Sequence, residues 1–219
     1  MNICLVIPSY NEGQRLRELL DKVIEKNYKV IVVDDGSNDS TAEILKHLPI
    51  DYIKHPINRG QGAALKTGTI LAEQLGYDAV IHFDADGQHR LEDVEKIIEQ
   101  LNLHDIVLGS RYLGVKSDIP TKKRIILFLA KLFSKYLLGL GFTDPQNGLR
   151  AFKLSCFPDI SWQKDDFQHC SEILSNISRK KLDYIEVPIL INYTKYSANK
   201  TIKPQIKMGW KLIWNKLFN

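Results

Sequence analysis

Asp84 and Asp86 stand one residue apart where the apolar run Ile81-His82-Phe83 gives way to Asp84-Ala85-Asp86-Gly87-Gln88-His89. Alternate side chains of an extended segment leave on the same side, so both carboxylates can address one point as a strand opens into a loop. Two carboxylates at one point favour a cation. Ligation by oxygen alone, with the remaining positions left to water and phosphate oxygens, is the habit of Mg2+ or Mn2+. The implied cargo is a metal-bound diphosphate. An isolated Asp-x-Asp is also a common solvated turn, so the flanking sequence has to decide.

The chain of 219 residues is long enough for one substantial α/β core and short for two. Cys4, Cys156 and Cys170 are odd in number and far apart, with no Cys-x-x-Cys spacing, which argues against a disulfide framework or a zinc site and fits a reducing cytoplasm. Met1 runs directly into a strand-like segment, so no secretory leader is expected. Lys131 and Lys135 interrupt the longest apolar stretch, which falls short of the roughly 20 residues of a membrane span. The formal charge of +4 is mild, but basic residues crowd 122–135 and 195–216, a distribution suited to an anionic lipid surface. No aromatic-studded RNA-binding strand, helix-turn-helix or zinc-finger spacing is present, so nucleic acid is not an expected partner.

The elements that would position the two carboxylates follow in order. Residues 3–7 read as a buried strand, and Ser9-Tyr10-Asn11-Glu12-Gly13 is turn chemistry. Leu16, Leu19, Leu20, Val23 and Ile24 then mark one face of a helix. A second strand over 30–33 runs into Asp34-Asp35-Gly36-Ser37, and Ser40 with Glu43 predicts a capping box at the next helix. A short strand at 52–54, a helix over 60–75 and a strand over 79–83 lead to the Asp-x-Asp. Beyond it come a helix over 91–101, a strand over 106–108, a returning strand over 149–154, a helix over 172–177 and a strand over 185–191 whose Pro188 suggests a sheet edge. Such alternation predicts a parallel sheet with right-handed crossovers, whose ligands gather beyond the carboxyl ends of the strands. Residues 122–138 and 206–218 read as amphipathic helices, suited either to docking or to a bilayer surface.

Six segments together resemble glycosyltransferase family 2: Pro8-Ser9-Tyr10-Asn11-Glu12, Val32-Val33-Asp34-Asp35-Gly36-Ser37, Asn58-Arg59-Gly60-Gln61-Gly62, Asp84-Ala85-Asp86 with Gln88-His89, Gly109-Ser110-Arg111-Tyr112, and Asn147-Gly148-Leu149-Arg150. Within the family they look like the dolichyl-phosphate mannose synthase type and bacterial relatives acting on polyprenyl phosphate or surface-polysaccharide intermediates. The resemblance implies a GT-A fold, an α/β Rossmann-like sheet, mixed but mainly parallel, with helices on both faces, over residues 1–200. Residues 201–219 would form a separate amphipathic helix.

It also implies a nucleotide-sugar donor, Mg2+ or Mn2+, and inversion at the anomeric carbon. Carried over residue by residue, Pro8, Tyr10, Glu12, Asp35 and Asp84 would bind the nucleotide, and Asp84, Asp86 and Gln88 the metal. Arg111, Arg124 and Arg150 match positions near donor or acceptor phosphates, where a guanidinium fork can bind oxygens bidentately. Asp144 is the candidate base or acceptor-orienting residue, with Arg111 and Arg150 as its catalytic companions. The acceptor would be a polyprenyl phosphate or lipid-linked glycan. That would place the protein in the cytoplasm or on the inner face of the plasma membrane, as a monomer or a homo-oligomer.

Plainer readings stand beside these. Asp34 can serve a turn, Arg59 the surface, Gly60 and Gly62 close packing, Glu172 an ion pair, and His82 and His89 structure alone. Asn147-Gly148-Leu149-Arg150 departs from the synthases' usual Ser-Gly-Phe-Arg, and Tyr196-Ser197-Ala198-Asn199-Lys200 from their Gly-Glu-Ser-Lys run. Both departures leave the acceptor and the sugar open. Two other functions fit the carboxylates: a nucleotidyltransferase, and a catalytically silent subunit that binds nucleotide sugars.

Overall fold

The computed structural model describes residues 1–113 and 141–192. The predicted helix over 122–138, Arg124, the Tyr196 to Lys200 departure and the C-terminal helix lie outside them.

Among the described residues the strands are β1 (Ile3–Ser9), β2 (Lys29–Asp34), β3 (Asp51–Lys54), β4 (Ala79–His82), β5 (Ile106–Ser110), β6 (Arg150–Lys153) and β7 (Tyr184–Pro188). They form one sheet in the order β3-β2-β1-β4-β6-β5-β7. All pairs are parallel except those of β6, which runs antiparallel to both β4 and β5. The expected mixed, mainly parallel sheet is therefore present. Pro188 closes β7 at the sheet edge, where its missing N–H leaves no ladder position unpaired.

The central strands read as unbroken apolar runs because both faces are covered. Leu5 and Ile7 of β1, Val30 and Val32 of β2, and Ile81 of β4 face one core. That core is closed by α1 (Gly13–Glu25), α2 (Thr41–Lys46) and α4 (Glu92–Leu101). Cys4, Val6, Ile31, Val33 and Val80 face the other. There the cover is α3 (Gln61–Gln74), α5 (Phe157–Ile160) and α6 (His169–Lys180). Gly68 lets α3 press directly onto the sheet, since a Cβ there would overlap Val6.

Two local expectations change. Ser40 precedes α2 but its side chain makes no cap; Asp39 Oδ1 accepts the Thr41 N–H instead, at 3.0 Å. An acid one residue earlier satisfies the orphan donor. The predicted helix over 172–177 begins earlier, at His169, which puts its first turn beside the site described next.

Candidate active site

The carboxyl ends of β1, β2 and β4 open onto a cavity of ≈ 420 Å³. Pro8, Tyr10 and Glu12 line it from the β1 exit, Asp35 from the β2 exit, Asp84, Asp86 and Gln88 from the β4 exit, and Arg111 from the β5 exit. The fold thus gathers residues more than a hundred positions apart, as strand ends of a doubly wound sheet do.

Asp35, at the β2 exit, is held by three hydrogen bonds. It is 3% exposed. Its Oδ1 accepts the Nδ1–H of His55 at 2.7 Å and the backbone N–H of Arg59 at 3.0 Å, and its Oδ2 accepts the N–H of Gly60 at 2.7 Å. Gly60 adopts φ +112°, and a Cβ there would meet the Asp165 carbonyl. The residue must be glycine for the loop to lay two N–H groups on one carboxylate. Asp34, by contrast, turns inward: its Oδ1 accepts the Ser37 N–H at 2.9 Å, the turn role expected of it.

Asp84 and Asp86 reach the same cavity. Gln61, at the start of α3, donates Nε2–H to Asp84 Oδ1 at 2.6 Å, and His89 Nε2 lies 3.4 Å from Asp84 Oδ2. Burial opposes ionisation of Asp84, but His89, His169 and Arg150 outweigh it and hold its pKa below the ordinary value. Burial and then the charge on Asp84 push that of Asp86 up. Gln88 turns its amide nitrogen onto Asp86 Oδ2 and its backbone N–H onto Oδ1. Two half-buried carboxylates that oppose each other's charge, beside an amide able to present oxygen, fit a hard cation with open positions for phosphate oxygens. Among the described residues no group of three or more His, Cys, Asp and Glu could hold a metal alone. A cation here would keep several non-protein ligands.

Asp144 sits behind this surface. It does not line the cavity. Its carboxylate accepts Arg111 Nε–H at 2.6 Å, Arg111 Nη2–H at 2.5 Å, the Arg111 backbone N–H at 3.0 Å and Asn147 Nδ2–H at 3.1 Å. Burial works against its charge, yet Arg111 holds its pKa below the usual carboxylate range. A carboxylate so occupied is a weak proton acceptor and a strong anchor. Arg150 is 3% exposed and is bound by backbone carbonyls, Nε to Asn147 O at 3.0 Å and Nη2 to Pro145 O at 3.3 Å. Its Nη1 is buried without a hydrogen-bond partner among the described residues. This buried guanidinium makes no ion pair with a carboxylate among the described residues, but its charge acts on Asp84 through space.

The histidines divide. His82 is buried against Phe152 and Trp162 with Nε2 on Thr69 Oγ1 at 3.0 Å, and burial lowers its pKa to about 3. It is a core residue. Glu172 accepts the N–H groups of Gln163 and Lys164, both at 2.8 Å, and so clamps a loop. Arg59 pairs at the surface with Asp165 at 3.3 Å.

Several cavity residues carried no signal in the sequence reading. Phe167, just before α6, and His169 and Cys170, in its first turn, line the cavity. His169 Nδ1 donates to Asp166 O at 2.7 Å, and its Nε2 lies 3.5 Å from Cys170 Sγ. Burial would raise the Cys170 pKa, but Arg150 and His169 bring it down to about 7. His55 belongs to no motif and follows β3 by one residue.

A family model described as Glycosyl transferase family 2 matches residues 4–159. The protein MJ1222 of Methanocaldococcus jannaschii is 37% identical over 99% of this chain and 93% of its own length. A UDP-N-acetylglucosamine–dolichyl-phosphate N-acetylglucosaminyltransferase of Methanococcus voltae is 34% identical over 98% of this chain and 94% of its own. Among solved structures, glucosyl-3-phosphoglycerate synthase of Mycobacterium tuberculosis, in complex with Mn2+, UDP and glucosyl-3-phosphoglycerate, superposes with a TM-score of 0.75. It is 17% identical, and the match covers 99% of this chain and 78% of that one. That likeness concerns the fold. Among the described residues no helix is long and apolar enough to cross a membrane.

Proposed function

Since the chain belongs to glycosyl transferase family 2 and is a glycosyltransferase, we propose that it transfers a sugar, with inversion, from a UDP- or GDP-sugar to a polyprenyl phosphate or a lipid-linked glycan, in a metal-dependent reaction. The observation that carries this is the convergence of Asp35, Asp84 and Asp86, from the ends of separate strands, on one cavity. The M. voltae relative, named for a nucleotide-sugar donor and a dolichyl-phosphate acceptor, supports the same substrate classes.

In this reading Asp35 holds the nucleoside, with Pro8, Tyr10 and Glu12 around it. Asp84 and Asp86 hold Mg2+ or Mn2+, and Gln88 joins them by turning its amide so that oxygen replaces the N–H now facing Asp86. When bound, the cation would stabilise the negative charge that develops on the leaving diphosphate. Arg111, aimed by Asp144, lines the cavity and binds phosphate oxygens, with the buried cation of Arg150 behind it. Asp144 is then a positioning residue.

That assignment favours an acceptor that arrives deprotonated. A phosphomonoester, with a second pKa of about 6, does so at neutral pH. A sugar hydroxyl does not, and would need a base that Asp144 is badly placed to supply. A polyprenyl phosphate is therefore the preferred acceptor. Location at the inner face of the membrane follows from that acceptor, and attachment by the basic segments at 122–138 and 206–218 belongs to the same proposal.

The direct experiment incubates the chain with Mn2+, a panel of labelled nucleotide sugars, and either polyprenyl phosphate or a lipid-linked glycan. Sugar on the lipid phosphate with release of a nucleoside diphosphate is expected. Release of pyrophosphate, or no release from any donor, would overturn the reading.

A further inference from the structure

The hydrogen bonds around Asp35 bear on which nucleotide the cavity accepts. A carboxylate offers about four lone-pair positions, two on each oxygen. Both on Oδ1 are taken, by His55 Nδ1–H and the Arg59 N–H, and one on Oδ2 is taken by the Gly60 N–H. Among the described residues, one position on Oδ2 is left for a ligand.

His55 does not yield easily. It is buried, its Nε2 lies 3.0 Å from Thr67 Oγ1 on α3, and its backbone N–H binds the Asp34 carbonyl at 2.8 Å. Asp35 accepts only, so Nδ1 carries a proton. The imidazole is pinned at both nitrogens between the β2 exit and α3.

Nucleobases differ in what they present to such a carboxylate. Uracil presents one imide N–H, at N3, and satisfies a single remaining position. Guanine presents N1–H and its exocyclic amine side by side, a pair that requires one open position on each oxygen. With Oδ1 full, only one of the two can be accepted unless His55 or the Arg59 N–H is displaced, and the other donor goes unmatched by Asp35. Cytosine presents a lone pair at N3, where uracil has its N–H, and a carboxylate repels it; its only donor on that edge is the N4 amine, displaced from the uracil N3 position. We infer that His55, by filling Asp35 Oδ1 from behind, is a specificity-determining residue that makes the site select uracil, so that the donor is a UDP-sugar. This rests on the proposed function, since it presumes that the cavity holds a nucleoside diphosphate at Asp35.

Calorimetric titration of the full chain with UDP, GDP, CDP and N3-methyl-UDP, each with Mn2+, tests the inference. UDP is expected to bind at least about tenfold more tightly than the other three, the loss expected when a buried hydrogen-bonding group goes unmatched. Equal or tighter binding of GDP, or N3-methyl-UDP equal to UDP, would overturn uracil selection while leaving the transferase reading intact. Failure of every nucleoside diphosphate to bind would overturn both. Two variants isolate His55. In His55→Gln an amide N–H can replace the ring donor, and the UDP-to-GDP preference should persist. In His55→Leu one Oδ1 position is freed, and the preference should narrow severalfold. An unchanged preference in a folded His55→Leu protein removes His55 from the explanation; should that variant not fold, the comparison of UDP with N3-methyl-UDP still decides whether the imide is read.

Discussion

Gly148 lies against the Asp84 carboxylate so closely that a Cβ on it would overlap Oδ2. The loop before β6 and the loop after β4 are thus in backbone-to-side-chain contact, and the place of one cavity carboxylate depends on the absence of a side chain in the other loop. Gly148→Ala should displace Asp84. The expected outcome is a drop in Mn2+-dependent UDP affinity of roughly 10- to 100-fold, the range found when a group supporting a metal ligand is lost. Titration with and without Mn2+ reads it, and an affinity unchanged in Mn2+ would show that Asp84 tolerates the shift.

Asp86→Ala tests the cation more directly. The side chain is half-buried and its hydrogen bonds are local, to Gln88. The variant should keep the melting temperature of the parent within a few degrees. Turnover should fall by about 100-fold or more, in line with removing one stabiliser of developing charge. Undiminished turnover at saturating Mn2+ would take Asp86 out of the metal site.

Asp144→Asn separates an anchor from a base. As the anchor of Arg111 it holds a buried ion pair, and breaking such a pair from one side costs about 3–5 kcal/mol, somewhat less where an amide still accepts one bond. A lowered melting temperature is therefore expected together with weaker phosphate binding. If the residue were a base, stability would be kept, donor affinity would be kept, and only the rate would fall. Denaturant unfolding and donor titration on the same variant distinguish the two.

Cys4 supplies a pH dependence remote from the cavity. Burial, with a smaller contribution from Asp51, pushes its thiol from 9.0 up to about 12. The folded chain keeps a proton that the unfolded chain releases between those values, so stability falls as pH rises through that window, by at most about 1.4 kcal/mol per pH unit. Cys4→Val lacks this contribution. Its melting temperature should decline less steeply than the parent's between pH 9 and 10.5; parallel declines would show that the Cys4 thiol is not held protonated.

Much of the fold was legible because β1 and β2 are continuous apolar runs and end in turn residues that can only sit at strand exits. The acids at those exits were legible for the same reason. Partner choice was not: the antiparallel course of β6 leaves the same local pattern as a parallel strand, and only packing between β4 and β5 reveals it. The environment of Asp144 was hidden similarly, since nothing near it in sequence announces that Arg111 arrives from another loop. His55 and Cys170 lie outside any spacing rule, and their positions follow from how β3 and α6 dock. At Ser40 a valid capping pattern was present, but its side chain makes no cap and Asp39 binds the Thr41 N–H instead.

The antiparallel strand has one more consequence, for synthesis of the chain. β4 is flanked in the finished sheet by β1 and β6, so when β4 emerges from the ribosome one of its edges has no partner, and it stays bare until Arg150–Lys153 has been translated. β5 cannot shield it, because β5 pairs with β6 and with β7. During that interval the buried residues Val80 and Ile81 lie on a bare ribbon able to pair with another nascent chain. Premature termination or slow translation between β5 and β6 should therefore produce aggregates rather than a smaller folded product.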